Sequence, residues 1–403
     1  MRVLMVTPTY YPLVGGIETF IDTITKKLNE IGVNADIMVF SRNSFGQPLW
    51  AGGIEDTGEF KIIKVPAMKV PEIHLLGKEI TPFKAYLQMS YTPKLSYIKL
   101  TKNYDILHFH DEDDLTMPFL SFPIKRPKIF HFHTLLFSLP YLKKREKFIC
   151  RLLLRKTFAY SMVNSEYCRK LLGSIGIPRE RILVIPNVID LNKYTCSKPE
   201  YVSSQNIKKI LYMSRLSFEK LPAIENVIMS AQVLYGQMPR LEILIAGTGA
   251  YYSYVKKMAE KINKKLDKNV IKVLGKIDED EKIALMSSCD IVIGASRVVL
   301  EAMALGKPVI VTGDRILEKN STAVLGGIVT KEKIDEFKYY NFQYTNHHID
   351  LTPENVANEI LKLLNDEEYM KELGEFGRKF VEKEYNADKV AKKLEKIYES
   401  LHQ

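Results

Sequence analysis

MRVLMVTPTYYPLVGGIETFIDTITKKLNEIG, residues 1–32, carries the repeating unit of the architecture. Residues 2–7 are apolar on both faces, the pattern of a strand buried between two layers. Pro8, Pro12 and the pair Gly15-Gly16 break that run, and residues 17–31 then carry apolar side chains at helical spacing. A doubly apolar strand followed by an amphipathic helix is the repeating unit of a parallel α/β sheet.

The unit recurs along the chain. Strand-like runs fall at 35–40, 61–65, 105–109, 128–132, 160–164 and 181–185, with helical patterns such as 146–158 between them. The turn Pro186-Asn187-Val188-Ile189-Asp190 and a polar stretch, 193–208, interrupt the series. It restarts at 208–213 and continues at 241–246, 270–274, 290–294, 308–311 and 327–329, with helices expected at 224–235, 254–265, 279–287 and 299–305. Helical segments at 353–364, 367–383 and 388–401 close the chain. The expectation is α/β: two doubly wound Rossmann-like domains, 1–190 and 191–385, facing each other across a cleft, each built on a parallel sheet.

Composition agrees with this class. A chain of 403 residues with 46% hydrophobic and 26% charged residues has the length for two or three globular domains. The formal charge of +10 favours anionic partners: phosphorylated small molecules, an acidic membrane surface or nucleic acid. A solvated lysine-rich surface is the plainer explanation. No aromatic-studded basic motif or helix-turn-helix signature accompanies the charge, so nucleic acid is set aside as a partner. Cys150, Cys168, Cys196 and Cys289 form no CxxC pair, which points to a reducing, cytoplasmic setting. The N-terminal apolar run is too short for a signal peptide, and no stretch approaches the roughly 20 apolar residues that span a bilayer. Basic segments at 61–84 and 143–156 (KKREKFICRLLLRK) point to peripheral contact with an anionic membrane face, against the plainer reading that the second packs inward.

Ligands of doubly wound sheets bind beyond the carboxyl ends of the strands, so the chemistry belongs in those loops. In the first loop, Gly15 and Gly16 let backbone N–H groups approach an oxyanion at a helix start, although neither GxGxxG nor GxxxxGK[ST] is present. In residues 105–114, DILHFHDEDD, strand alternation puts His108 and His110 on one side; His133 ends the next strand. His110 and His133 are placed to polarise a substrate hydroxyl or merely to satisfy local hydrogen bonds. Together with Asp111 they make an incomplete zinc set, and the acidic run 111–114 fits a helix start better than Mg²⁺, so no metal is expected. In residues 214–220, SRLSFEK, Arg215 and Lys220 flank a helix start and suit a diphosphate. In residues 294–306, GASRVVLEAMALG, Ser296, Arg297 and Val298 frame a first helical turn whose amides suit phosphate. Glu301, inside an apolar run, is costly to bury without a partner and suits sugar hydroxyls.

Taken together, these residues make the chain resemble the retaining glycosyltransferases of family 4, which have the GT-B fold. The resemblance runs in order through Gly15-Gly16, the strand Asp105 to His110, His133, Val163 to Ser165, the linker Ile185 to Asp190, Ser214 to Leu221, Ile245 to Gly249, the block Glu301 to Ile310 and Val390 to Tyr398. It implies a UDP- or GDP-linked sugar as donor in the second domain and a glycan, lipid-linked or small-molecule acceptor in the first. It implies that Arg215 and Lys220 neutralise the donor diphosphate without a metal or other cofactor and that Glu301 holds the ribose. The turn Gly275, Lys276 and Ile277 would receive the base, and the Gly15-Gly16 loop would close over the phosphates. His110, with His133 as the second choice, would stand near the reacting sugar. The terminal segment 386–403 would cross back onto the first domain.

The family's E-x7-E is incomplete here: Ile293 stands eight residues before Glu301, and the intervening loop is short. Arg297 in that loop is the substitute for binding phosphate or an anionic sugar group. Val188, Ser214 and Leu221 replace family glycines. The rival readings are a donor-binding but inactive homologue and a sugar-nucleotide epimerase of the same fold.

Overall fold

The computed structural model describes residues 1–11, 15–39, 52–65, 67–69, 91–93, 97–111, 121, 124–133, 144–195, 207–313, 324–343 and 349–402. The acidic positions 112–114, Cys196 and most of the basic segment 61–84 lie outside them. The chain divides into two units, Met1–Val188 with Ala387–Gln403, and Ile189–Asn386.

Unit 1 holds strands β1 (Arg2–Thr7), β2 (Asn34–Val39), β3 (Gly53–Asp56), β4 (Lys61–Lys64), the short pair β5 (Ala67–Lys69) and β6 (Tyr91–Pro93), β7 (Ile106–Asp111), β8 (Lys128–Phe132), β9 (Tyr160–Val163) and β10 (Ile182–Val184). Its helices are α1 (Gly16–Glu30), α2 (Tyr97–Thr101), α3 (Lys144–Thr157) and α4 (Glu166–Ser174). The main sheet runs β10-β9-β8-β7-β1-β2-β4-β3. From β1 the chain goes outward to β2 and β4 and later returns to β7 on the other side, so the switch point lies between β1 and β7.

Alternation sorts the side chains of this sheet. Leu4, Val6, Leu107, Phe109, Phe130 and Phe132 face one layer, and Val3, Met5, Ile106 and Ile129 face the other. The second layer is closed by Phe20, Ile21 and Ile24 of α1 and by Val390, Ala391, Leu394 and Tyr398 of the terminal helix, Ala387–His402. That helix is part of unit 1.

Unit 2 carries β11 (Lys208–Met213), β12 (Leu241–Ala246), β13 (Ile271–Gly275), β14 (Ile291–Gly294), β15 (Val309–Thr312), β16 (Val324–Ile328) and β17 (Ile349–Asp350). Between and after them come α5 (Leu221–Gln237), α6 (Tyr252–Leu266), α7 (Glu279–Ser288), α8 (Arg297–Ala304), α9 (Ile334–Tyr339), α10 (Pro353–Leu364) and α11 (Glu367–Glu384); the helix closing unit 1 is α12. The order β13-β12-β11-β14-β15-β16-β17 places this switch point between β11 and β14.

The expectation of wholly parallel sheets is corrected at the edges. β3 pairs antiparallel with β4, β16 with β15 and β17 with β16. The central strands of both sheets are parallel and buried on two faces, whereas toward the margin of each sheet an antiparallel pairing forms as readily as a crossover. The all-exposed β3 offered no apolar run to read.

Candidate active site

In unit 2 the loop after β11 is held by backbone bonds to its neighbours. Ser214 N donates to Ala246 O at 3.2 Å, Leu216 N to Thr248 O at 3.0 Å, Tyr251 N to Leu216 O at 3.0 Å and Gly247 N to Gly275 O at 2.8 Å. The approach is close enough to demand glycine. Gly247 has φ +139°, and a Cβ there would lie 1.8 Å from Ser214 O; at Gly249 it would lie 2.4 Å from Leu216 O. Through these bonds β12 positions Arg215, which is exposed, and Lys220, which is partly buried. Burial pushes the Lys220 ammonium down to about 8, against the upward pull of Glu219 and with a further fall from Arg215.

The second element leaves β14, across the switch point. Ser296, at φ +53° and ψ −120°, precedes α8 in a region that non-glycine residues rarely occupy. It is held there by Ser296 N donating to Phe342 O at 2.7 Å and by Asn341 Nδ2 donating to Ser296 Oγ at 3.2 Å. Asn341 and Phe342 are themselves left-handed. The first intrahelical bond runs from Val299 N to Ser296 O, so the Arg297 and Val298 amides precede it at the strand's carboxyl end. The turn Gly275, Lys276 and Ile277 ends β13, with Gly275 at φ +83°.

Glu301 is 2% exposed. Its Oε1 accepts from Arg297 Nε at 2.7 Å and from Lys282 Nζ at 2.9 Å. Lys282 also meets Glu279 Oε2 at 2.8 Å, and Tyr194 Oη donates to Glu279 Oε1 at 2.8 Å. Burial alone would raise the Glu301 carboxyl, but Lys282 and then Arg297 outweigh it and the net shift is downward. Arg297, expected to take phosphate, is thus an ion-pair partner of Glu301 in this structure. Lys282, Glu279 and Tyr194 were missed: Lys282 sits in an acidic helix start and Tyr194 in a polar stretch, where nothing marks a site.

In unit 1, Gly15 caps α1 in extended backbone and its carbonyl accepts from Thr19 Oγ1 at 2.8 Å. At the ends of β7 and β8, His110 Nδ1 lies 3.0 Å from His133 Nε2, and Asn164 Nδ2 donates to His133 O at 2.7 Å. His108, His110 and His131 are fully buried on the α1 and α12 face, with Phe20 packed edge-on against His131. Burial lowers the imidazoles, His108 to about 3 and His110 and His131 well below the usual range. They are neutral near pH 7; His108 and His110 make hydrogen bonds in that form, and His131 makes none. Beside the first loop a cavity is lined by Tyr10, Tyr11, Asp22, Glu55, Glu59 and Lys64, among others.

Comparison with known proteins places both units. Residues 14–193 match the family model described as Glycosyltransferase Family 4, and residues 197–337 match Glycosyl transferases group 1. An uncharacterised glycosyltransferase of Methanocaldococcus jannaschii is 23% identical over 425 residues, covering 99% of this chain and 98% of its own. Alpha-monoglucosyldiacylglycerol synthase of Streptococcus pneumoniae is 24% identical, over 79% of this chain and 72% of its own. Among solved structures, Anabaena HepE in complex with UDP and glucose superposes with a TM-score of 0.68 at 18% identity, over 99% of this chain and 100% of that one.

Proposed function

The chain is a family 4-like glycosyltransferase with the two-domain GT-B fold, and from that premise we propose that it moves a hexose-type sugar from a UDP- or GDP-linked donor to a glycan or lipid-linked acceptor. Retention of configuration and a metal-independent transfer are part of the same reading. The observation that carries it is the pairing at unit 2's switch point of the Arg215 and Lys220 loop with the N-terminus of α8.

A departing nucleoside diphosphate develops negative charge on its bridging oxygen. A guanidinium, an ammonium and first-turn amides fixed beforehand stabilise that charge in the transition state more than in the ground state. Gly275, Lys276 and Ile277 would line the base, and Glu301 would take the ribose hydroxyls. In unit 1, neutral His133, backed by His110, would orient a hydroxyl, and the aromatic and carboxylate lining beside Tyr10 suits a sugar acceptor. Gly15 and Gly16 would offer the amides that open α1 to an oxyanion.

HepE has been solved with UDP and glucose, which supports a UDP-sugar, and the name of the pneumococcal relative supports a lipid acceptor. No helix among the described residues is long and apolar enough to cross a membrane. Helix α3 supports peripheral contact instead. Cys150 and Leu154 are buried, while Phe148 and Leu152 are exposed at 53% and 45% with Lys144, Arg145, Arg155 and Lys156 exposed around them.

Thermal-shift titration with UDP- and GDP-sugars tests the donor. One nucleotide class should raise the melting point, and Arg215→Ala should abolish the rise. An equal rise in wild type and variant, or none with any donor at millimolar concentration, would sink the assignment of this loop. Flotation with anionic vesicles tests α3: Phe148→Ser with Leu152→Ser should stay behind while wild type floats.

A further inference from the structure

The histidines of unit 1 hold more binding capacity than a hydroxyl needs. Met5, His108, His110 and His131 come from three adjacent strands, with Met5 beside His108 and His110 beside His131 in the ladder. One nitrogen from each of the three histidines lies within 4.8 Å of the others, in full burial. Two of the three rings also have an outward partner. His108 Nδ1 lies 2.7 Å from Tyr398 Oη, and His110 Nδ1 lies 3.0 Å from His133 Nε2.

Further ring nitrogens lack protein partners. His108 Nε2 and both His131 nitrogens make no hydrogen bond, and His110 Nε2 meets Met5 Sδ at 3.4 Å. An orphaned buried polar atom costs roughly 1–3 kcal/mol, so a structure that keeps several in one place gains by filling it. A histidine that binds metal through one nitrogen and is oriented by a partner at the other is the usual arrangement around an ion.

We propose that Met5, His108, His110 and His131 form a buried binding site for one monovalent copper ion. The choice of ion follows from charge and softness. Three imidazoles and a thioether are neutral donors, and a divalent ion would bring two uncompensated charges into a place with 0% exposure. Cu(I) brings one, and thioether sulfur favours it over zinc. The ion would tie β1, β7 and β8 together and, through Tyr398, hold α12 against the sheet. This inference does not depend on the donor assignment.

The full-length protein, reduced and anaerobic, would be titrated with Cu(I) against a chromogenic chelator, followed by copper-edge X-ray absorption of the loaded wild type. One equivalent retained per chain, a raised melting point and a shell of nitrogen with sulfur are expected. Met5→Leu should remove the sulfur while leaving the fold, whereas copper held by a cysteine would keep it. His131→Gln should lose retention by at least tenfold. Surrender of all copper to the chelator, as for a site holding water alone, overturns the proposal; so does a sulfur shell that survives Met5→Leu, or equal retention of Zn(II).

Discussion

Arg297 Nε donates to Glu301 Oε1 at 2.7 Å, one turn apart on α8, and Lys282 reaches the same oxygen from α7. This pairing explains how a lone carboxylate is kept charged where the family resemblance leads one to expect two. Ile293, eight residues before Glu301 where the resemblance leads one to expect the other, lies inside β14 and is completely buried. Arg297 and Lys282 supply at the same helix a pair of cations that compensate Glu301.

Glu301→Gln should therefore cost more than loss of a hydrogen bond. It leaves Lys282 and Arg297 without their shared carboxylate, and removing one partner of a buried ion pair typically costs about 3–5 kcal/mol. Urea unfolding should show a loss in that range, with Arg297→Ala milder because Lys282 still reaches the carboxylate. An unchanged midpoint for Glu301→Gln would show that the charges are solvated.

Gly247→Ala and Gly16→Ala should separate in opposite ways. A methyl at 247 meets Ser214 O at 1.8 Å and demands a left-handed φ, so the loop that carries Arg215 must shift. Stability should fall by about 2 kcal/mol or more and donor affinity with it. At Gly16 nothing lies within 4 Å of an added methyl, so stability should hold or rise slightly while kcat/KM falls if the backbone approaches the donor there. Equal kinetics in wild type and Gly16→Ala would remove that glycine from the donor site.

The central strands and most helices were legible because a strand buried on two faces is an uninterrupted apolar run. β1, β8, β11 and β12 fall where the runs place them. Edge elements were not: β3 is all exposed, and β17 is a two-residue pairing made by its neighbours. The same divide holds in the candidate site. Arg215, Lys220 and Glu301 stand at strand ends or in apolar runs, where a charge is conspicuous. Lys282 is one more charge in an acidic helix start, and its meeting with Glu301 is a tertiary fact. The strained φ of Ser296 depends on the distant pair Asn341 and Phe342, which no local pattern announces.

Ser296→Gly isolates that strain. Glycine occupies φ +53° and ψ −120° without a Cβ penalty, so relief of about 1 kcal/mol should exceed the loss of the 3.2 Å bond from Asn341. The variant should melt higher than wild type and bind the donor more weakly, because the first turn of α8 is less firmly set. A lower melting point would mean that the hydroxyl bond outweighs the strain.

Donor binding should weaken as pH rises through about 8. Burial and Arg215 lower the Lys220 ammonium to that value, so the unliganded site loses a positive charge there. A bound diphosphate favours the protonated form, and affinity is full below about 7 and declines by up to tenfold per pH unit above 8. Isothermal titration of UDP-sugar at pH 6.5, 7.5, 8.5 and 9.5 reads this out. Lys220→Arg should flatten the decline, since a guanidinium stays charged throughout; a decline that persists in Lys220→Arg assigns the titration to another group.

Acid should destabilise unit 1 well before it reaches the carboxylates. His108 is held at about 3 in the fold by burial, against about 6.5 when unfolded. Between these values the unfolded chain binds a proton that the folded chain refuses, so stability is full above 6.5 and falls as pH drops below it. The slope is at most about 1.4 kcal/mol per pH unit for each histidine, and His110 and His131 shift in the same direction. Glu301, lowered by its cations, contributes only below the ordinary carboxylate range, so the interval from pH 6.5 to 5 belongs to the imidazoles. Urea midpoints across that interval should drop steeply in wild type. His108→Gln should drop less steeply, from a lower starting point. Parallel curves would show that the buried rings take up protons without opening the fold.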